Sequence, residues 1–194
     1  MRPESQFELA KKVRSKEGAA LGEIFSFVSG LYFRGKLAYA NKFASAPLGL
    51  VGCFAITSNR GLVDLNTTFN MAGFASFSQT EIDGHDPEYR LPLKQSALEL
   101  KDRLGKSEYR VVLLGSIATG KYVDLLGEVF GHRLHFPLDF VGRGDMSRGG
   151  LMLRCVTSGE ELSYAPVADA IRHGTRPPKL TPVIVSRREK NNGK

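Results

Sequence analysis

The chain predicts an α/β fold: a single three-layer sandwich around a central, mainly parallel sheet, with a basic, extended C-terminal tail. Short apolar runs with strand character, GLVGCFAIT, YRVVLLGS and RLHFPLDF, alternate with helical patterns. Strands separated by helices pair in parallel, because each crossover must pass over a face of the sheet. A length of 194 residues with 42% hydrophobic composition suits one core rather than two. No internal repeat or linker splits it, so residues 19–170 read as the domain, 1–18 as a polar N-terminal helix or arm, and 171–194 as a basic, flexible tail.

Residues 5–18 are polar with helical character. In LGEIFSFVSGLYFRGKLAYANKFA, Leu21, Ile24, Phe25, Val28, Leu31 and Tyr32 fall at helical spacing, which gives one helix or two with a break at Ser29-Gly30. GLVGCFAIT reads as a buried strand, closed by the turn SNRG. Residues 62–88 show no period and read as a long functional loop with short helical pieces. Behind Pro92, the residues Leu93, Ala97, Leu98, Leu100 and Leu104 mark an amphipathic helix. YRVVLLGS is the clearest strand and runs into the helix TGKYVDLLGEVFG, which stops at Gly131; RLHFPLDF is a third extended run. GGLMLRCVTSGEELSYAPV adds an apolar stretch and a last hairpin or helix.

The net charge of +7 is concentrated at the end of the chain. From Ile171 onward Arg172, Arg176, Lys179, Arg187, Arg188, Lys190 and Lys194 face one acid, Glu189. That segment reads as extended or disordered, with PVIVS as an edge strand, and serves either as a solvated terminus or as an arm that contacts phosphate. No apolar run is long enough to span a membrane, and the first residues lack a signal peptide's apolar middle, so a cytoplasmic location is expected. Cys53 and Cys155 sit singly in apolar runs, which argues against a zinc site and a disulfide scaffold. His132 and His135 lack a carboxylate or thiol partner, so neither metal nor cofactor is expected.

Ligands of α/β sheets collect beyond the carboxyl ends of the strands. Three polar stretches fall there and would share one rim if their strands are neighbours: Thr57–Gly61 with Asn59 and Arg60, Gly115–Lys121, and Gly142–Gly150. The second, GSIATGKY, nearly spells a P-loop, with Ser116, Thr119 and Lys121 placed to cradle a phosphate at a helix start. Tyr122 stands where the magnesium-binding hydroxyl belongs, which argues for anion binding or a plain turn over nucleotide hydrolysis.

The third stretch offers Arg143, Asp145, Ser147 and Arg148 among glycines. Arginine forks match phosphate oxygens, and glycine lets a ligand approach the backbone. Asp145 is the candidate polar reader or general base; an Arg–Asp pair that fixes a tight loop would use the same letters. In YFRGKLAYANKF, Arg34 and Lys36 alternate with aromatic residues, a mixture that suits phosphates and stacked bases and equally a helix that buries its rings. Tyr32 and Tyr122 are the candidate stacking residues. No GxSxG, HExxH or kinase motif occurs, and no hydroxyl is paired with a base, so no covalent nucleophile is assigned.

The order LYFRGKLAYANKF, ITSNRGLVDLN, RVVLLGS leading to KYVDLL, and RLHFP ending in GRGD resembles the YaaA-like group over residues 29–150. These are uracil-DNA-glycosylase-like α/β domains that lack the glycosylase motifs. Members of that group usually begin with a strand carrying Ser or Cys and Lys, which is missing here. The resemblance implies handling of nucleic acid or nucleobases and implies no reaction. The expectation is therefore an α/β protein that binds nucleic acid, DNA before RNA, linked to repair, modification or defence. A nucleotide- or phosphometabolite-binding enzyme or sensor that uses GSIATGK is the alternative, and a noncatalytic interaction module the third.

Overall fold

In the computed structural model, which describes residues 5–181, the polar N-terminal stretch forms α1 (Glu8–Arg14), with Ala10 and Val13 buried. Two residues of β1 (Ala19–Ala20) lead into α2 (Leu21–Val28) and α3 (Gly30–Phe43). The expected break between these helices is present: Gly30 takes φ +66°, a left-handed conformation that glycine adopts without a steric penalty.

β2 (Phe54–Thr57) and β3 (Gly61–Asp64) form an antiparallel hairpin. Its turn is locked by Thr57, whose hydroxyl donates to the carbonyl of Gly61 at 3.0 Å and accepts the N–H of Arg60 at 3.2 Å. β4 (Thr68–Phe69) pairs with β1, and α4 (Met71–Ala75) starts on the Asn70 cap, which accepts the Gly73 N–H. α5 (Pro87–Leu104) has Asp86 as its cap and Pro at its first position, where a missing N–H costs nothing. Pro92, expected at the start of this helix, lies inside it.

β5 (Val111–Val112), α6 (Gly120–Phe130) and β6 (Leu134–Pro137) form a parallel unit; α7 (Asp145–Ser158) and the antiparallel β7 (Tyr164–Pro166) complete the described elements. Three apolar clusters hold this together. One joins α5 and α6 to Leu134 and Phe136, one joins α1 and α2 to Ala55, Leu65 and Phe69, and one joins α3 and α7 around Tyr39, Phe140 and Met152.

The sandwich on a central, mainly parallel sheet is overturned. The described strands fall into two two-stranded antiparallel sheets and one mixed three-stranded sheet, with β5–β6 as the parallel pair among them. Turn chemistry explains the difference at β2, where SNRG folds the next strand back instead of sending the chain across the sheet. Glycine explains it at β5, where the chain leaves the ladder after Leu113 and turns through Gly115. Helices form most of the core, and the stretch read as a loop at residues 142–150 contains the first turns of α7.

Residues 171–181 form no helix or strand, and several of them pack on α7 and the turn before it. Gly142 packs on Thr175, Gly174 packs on Val141, and Arg154 donates to the carbonyl of Thr181. The strand expected at PVIVS lies outside the described residues. Among the described residues no helix is long and apolar enough to cross a membrane.

Candidate functional site

Because β5 and β6 are parallel, the helices that follow them both start at the carboxyl edge of the pair. That edge is where ligands settle in α/β units. On the α7 side it is completed by α3, which crosses α7 with glycine on glycine. A Cβ on Gly35 would lie 2.7 Å from the carbonyl oxygen of Gly149, and one on Gly149 would lie 2.9 Å from the Cα of Tyr32. Only hydrogen at both positions allows backbones this close. The crossing brings Tyr32 and Lys36 of α3 to Asp145 and Arg148 of α7.

Arg148 is the anchor. It is 7% exposed; its Nε and Nη2 donate to the carbonyl of Phe140 at 3.2 and 3.0 Å, and Nη1 lies 3.5 Å from Asp145 Oδ1. A buried guanidinium needs such partners, and here they tie the turn before α7 to the first turns of the helix. Asp145 itself is open, its side chain 67% exposed at the amino end of α7, where the helix dipole favours a carboxylate.

Tyr32 donates its hydroxyl to the carbonyl of Leu114 at 3.2 Å, which joins α3 to the exit of β5. Burial pushes its phenol up to about 12, against the pull of the adjacent Arg148. The ammonium of Lys36 lies 4.0 Å from the centre of the Tyr32 ring, a cation–π contact. Burial lowers the Lys36 pKa to about 8, with the Asp145 charge raising it and the Arg148 charge lowering it further. Tyr122 of α6 closes the far side, half-buried beside Gly115; burial raises its phenol, and a hydrogen bond with the Ser116 backbone lowers it.

Thus Tyr32, Lys36, Ser116, Tyr122, Asp145 and Arg148, nominated from three separate segments, meet at one place. Arg143 stands at its border: Nη1 donates to Ser147 Oγ at 3.3 Å and to the carbonyl of Pro178 at 3.5 Å, while its buried Nε has no partner. Thr119 and Lys121 are exposed at the start of α6, and Arg34 is exposed on α3.

Asn59 and Arg60 belong to the β2–β3 hairpin, in another sheet, so the expected shared rim of three loops is not formed. Asn59 donates to the carbonyl of Ser76 at 2.7 Å and borders a separate cleft of about 480 Å³ with Thr80 and Glu88. Arg60 lies 5.3 Å from the centre of the Phe69 ring.

Some of the residues that build the site carry no functional letter. Gly35 and Gly149 set the crossing, and the carbonyls of Leu114 and Phe140 hold Tyr32 and Arg148. A glycine inside a helical pattern weakens the helix by about 1 kcal/mol, so its presence there is a sequence sign of close backbone approach. Asp124 was also missed: its carboxylate lies against Gly120 at the amino end of α6 and pairs with Arg172 at 3.0 Å. This ion pair covers Gly120 of the P-loop-like turn. Among the described residues no group of three or more His, Cys, Asp or Glu side chains could hold a metal ion. Compared with family models, curated proteins and solved structures, the chain finds no match in any of the three.

Proposed function

We propose that the protein binds nucleic acid, DNA in preference to RNA, or an unstacked base within it, along the edge where α3, α7 and the exit of β5 meet. The observation that carries this reading is the convergence of Lys36, Arg143 and Arg148, with one carboxylate, around two tyrosines at the carboxyl edge of the parallel pair. A surplus of cations beside aromatic rings suits a phosphate backbone and the faces of its bases.

In this reading Lys36 and Arg143 meet phosphates, and Tyr122 presents a ring for stacking. Asp145, exposed and held by Arg148, accepts hydrogen bonds from a base edge. Arg148 acts by holding the Phe140 turn and Asp145 in place. The open carboxylate also favours a ligand-facing role over a purely structural Arg–Asp pair. The alternative, a free nucleotide in GSIATGK, has against it that the Asp124 carboxylate, already paired with Arg172, lies against Gly120 and takes up space at the helix start where a phosphate would sit.

Fluorescence anisotropy of labelled single- and double-stranded DNA and RNA, titrated at several salt concentrations, tests the reading. Binding is expected to weaken with salt, and the double variant Lys36→Ala, Arg143→Ala to flatten the log–log salt dependence by about one unit per lost phosphate contact. Affinity and salt dependence equal to wild type in that variant would sink the reading. If Arg176→Ala with Lys179→Ala abolishes binding instead, the interaction belongs to the tail.

A further inference from the structure

After β7 the chain returns to the candidate site, and its contacts trace the path. Arg172 pairs with Asp124 at the start of α6 at 3.0 Å. Gly174 then lies on Val141, where an added Cβ would stand 2.6 Å from Cγ1, and the carbonyl of Thr175 rests on Gly142. The carbonyl of Pro178 accepts from Arg143 Nη1 at 3.5 Å, Leu180 lies against Gly150, and the carbonyl of Thr181 accepts from Arg154. Residues 172–181 therefore pass from α6 over the turn that carries Arg143 and onto α7.

What holds this segment is weak. The Arg172–Asp124 pair is exposed on both sides, 41% and 58%, and such pairs contribute little and fade with salt. Of residues 171–181, Pro177 and Leu180 alone are half-buried, so little apolar surface anchors them. What the segment covers is poorly satisfied. Among the described residues Arg143 has two neutral acceptors, Ser147 Oγ at 3.3 Å and the Pro178 carbonyl at the limit of hydrogen-bond length, while its Nε is buried without a partner. A guanidinium fork is matched by the charged oxygens of a phosphate far better than by one long bond to a carbonyl.

We propose that residues 172–181 are an autoinhibitory strap. Closed, the strap occupies Arg143; lifted, it frees the guanidinium to meet a phosphate of the bound strand. This rests on the nucleic-acid reading above and adds its regulation. An open form at about a tenth of the population would weaken apparent affinity about tenfold relative to a strap that is always open.

Fluorescence anisotropy with a labelled DNA strand and full-length protein tests this. Gly174→Val leaves the charge unchanged and pushes the strap off Val141. Arg172→Ala undoes the pair with Asp124 and also removes a cation, so charge alone would weaken binding. Both variants should instead bind up to about tenfold more tightly, and trypsin should cut faster after Lys179 in both. The gain from Gly174→Val should vanish in the Arg143→Ala background. Val141→Cys with Gly174→Cys supplies the lock, because an added Cβ on Gly174 would lie 3.9 Å from the Val141 Cβ, within reach of a disulfide. Oxidised, that protein should bind about tenfold more weakly than after reduction, with wild type indifferent to the reductant. Equal affinity in the oxidised and reduced forms overturns the strap. So does a gain that survives Arg143→Ala, or weaker binding by Gly174→Val, which would make the segment part of the binding surface. In each of these cases binding by wild type leaves the nucleic-acid reading standing; wild-type protein that binds no nucleic acid removes both.

Discussion

At the amino end of α6, the helix's own Asp124 folds against Gly120 and pairs with Arg172, beside the exposed Lys121. At the amino end of α7, Arg148 lies buried, Arg143 stands on the border, and Lys36 arrives from α3. The two helices begin at the same edge of one sheet, yet the first resembles a phosphate loop by its letters and is closed by a carboxylate, while the second reads as a polar loop and gathers cations. Spacing along the chain describes a helix start; what reaches it from elsewhere decides which charge it can hold.

Substitutions at the two helices should separate them. Arg148→Ala is expected to have the largest effect: it leaves the Phe140 carbonyl without its two donors and opens a buried space, costing about 3 kcal/mol in urea unfolding. Lys121→Ala on α6, exposed, should stay within about 0.5 kcal/mol of wild type. Similar losses from the two would show that the α7 end is not the organised one.

The glycines of the two helices give the next contrast. Gly149→Ala pushes α3 and α7 apart and should cost about 1–3 kcal/mol despite the better helix former. Gly127 of α6 has nothing within 4 Å of an added Cβ, so Gly127→Ala should raise stability by up to about 1 kcal/mol. A stable Gly149→Ala protein would mean that the crossing is looser than described.

A smaller effect is expected from Lys36 and pH. Its pKa is lowered from 10.5 to about 8 in the fold, so between those values the unfolded chain binds more protons. Stability should therefore rise with pH from about 8 towards 10.5, and the lysine's burial should penalise the fold in full below that window. Lys36→Met should melt higher than wild type near pH 7, and the gap should narrow towards pH 10.5. A constant gap across the window would show that burial does not act on the amine.

Several elements were legible. α6 announces itself by its apolar period and its stop at Gly131, and the break before α3 by Ser29-Gly30. α7 was hidden because Gly149-Gly150 punctuate it like a loop, although Arg148, Met152 and Cys155 keep a helical spacing on its buried side. The parallel sheet was over-read because apolar runs do not reveal whether the next strand crosses over or folds back, and at β2 the Thr57 hydroxyl settles that locally.

For the site, residue types in LYFRGK and GRGDMSRG pointed to Tyr32, Lys36, Asp145 and Arg148. Nothing along the chain could say that Gly35 meets Gly149, which is what joins them. Asn59 and Arg60 have the same chemistry but sit on a hairpin that belongs to another sheet.

That glycine crossing also bears on how the protein is made. α3 leaves the ribosome early, and α7 follows only after the intervening hairpin and the β5–α6–β6 unit, so their contact is a late, long-range event in synthesis. Until then Lys36 lies on an uncovered helix, fully hydrated and fully charged. Nascent chains halted before α7 would lack the Gly35–Gly149 contact, and Tyr32 and Lys36 would meet Asp145 and Arg148 only when the last long helix docks.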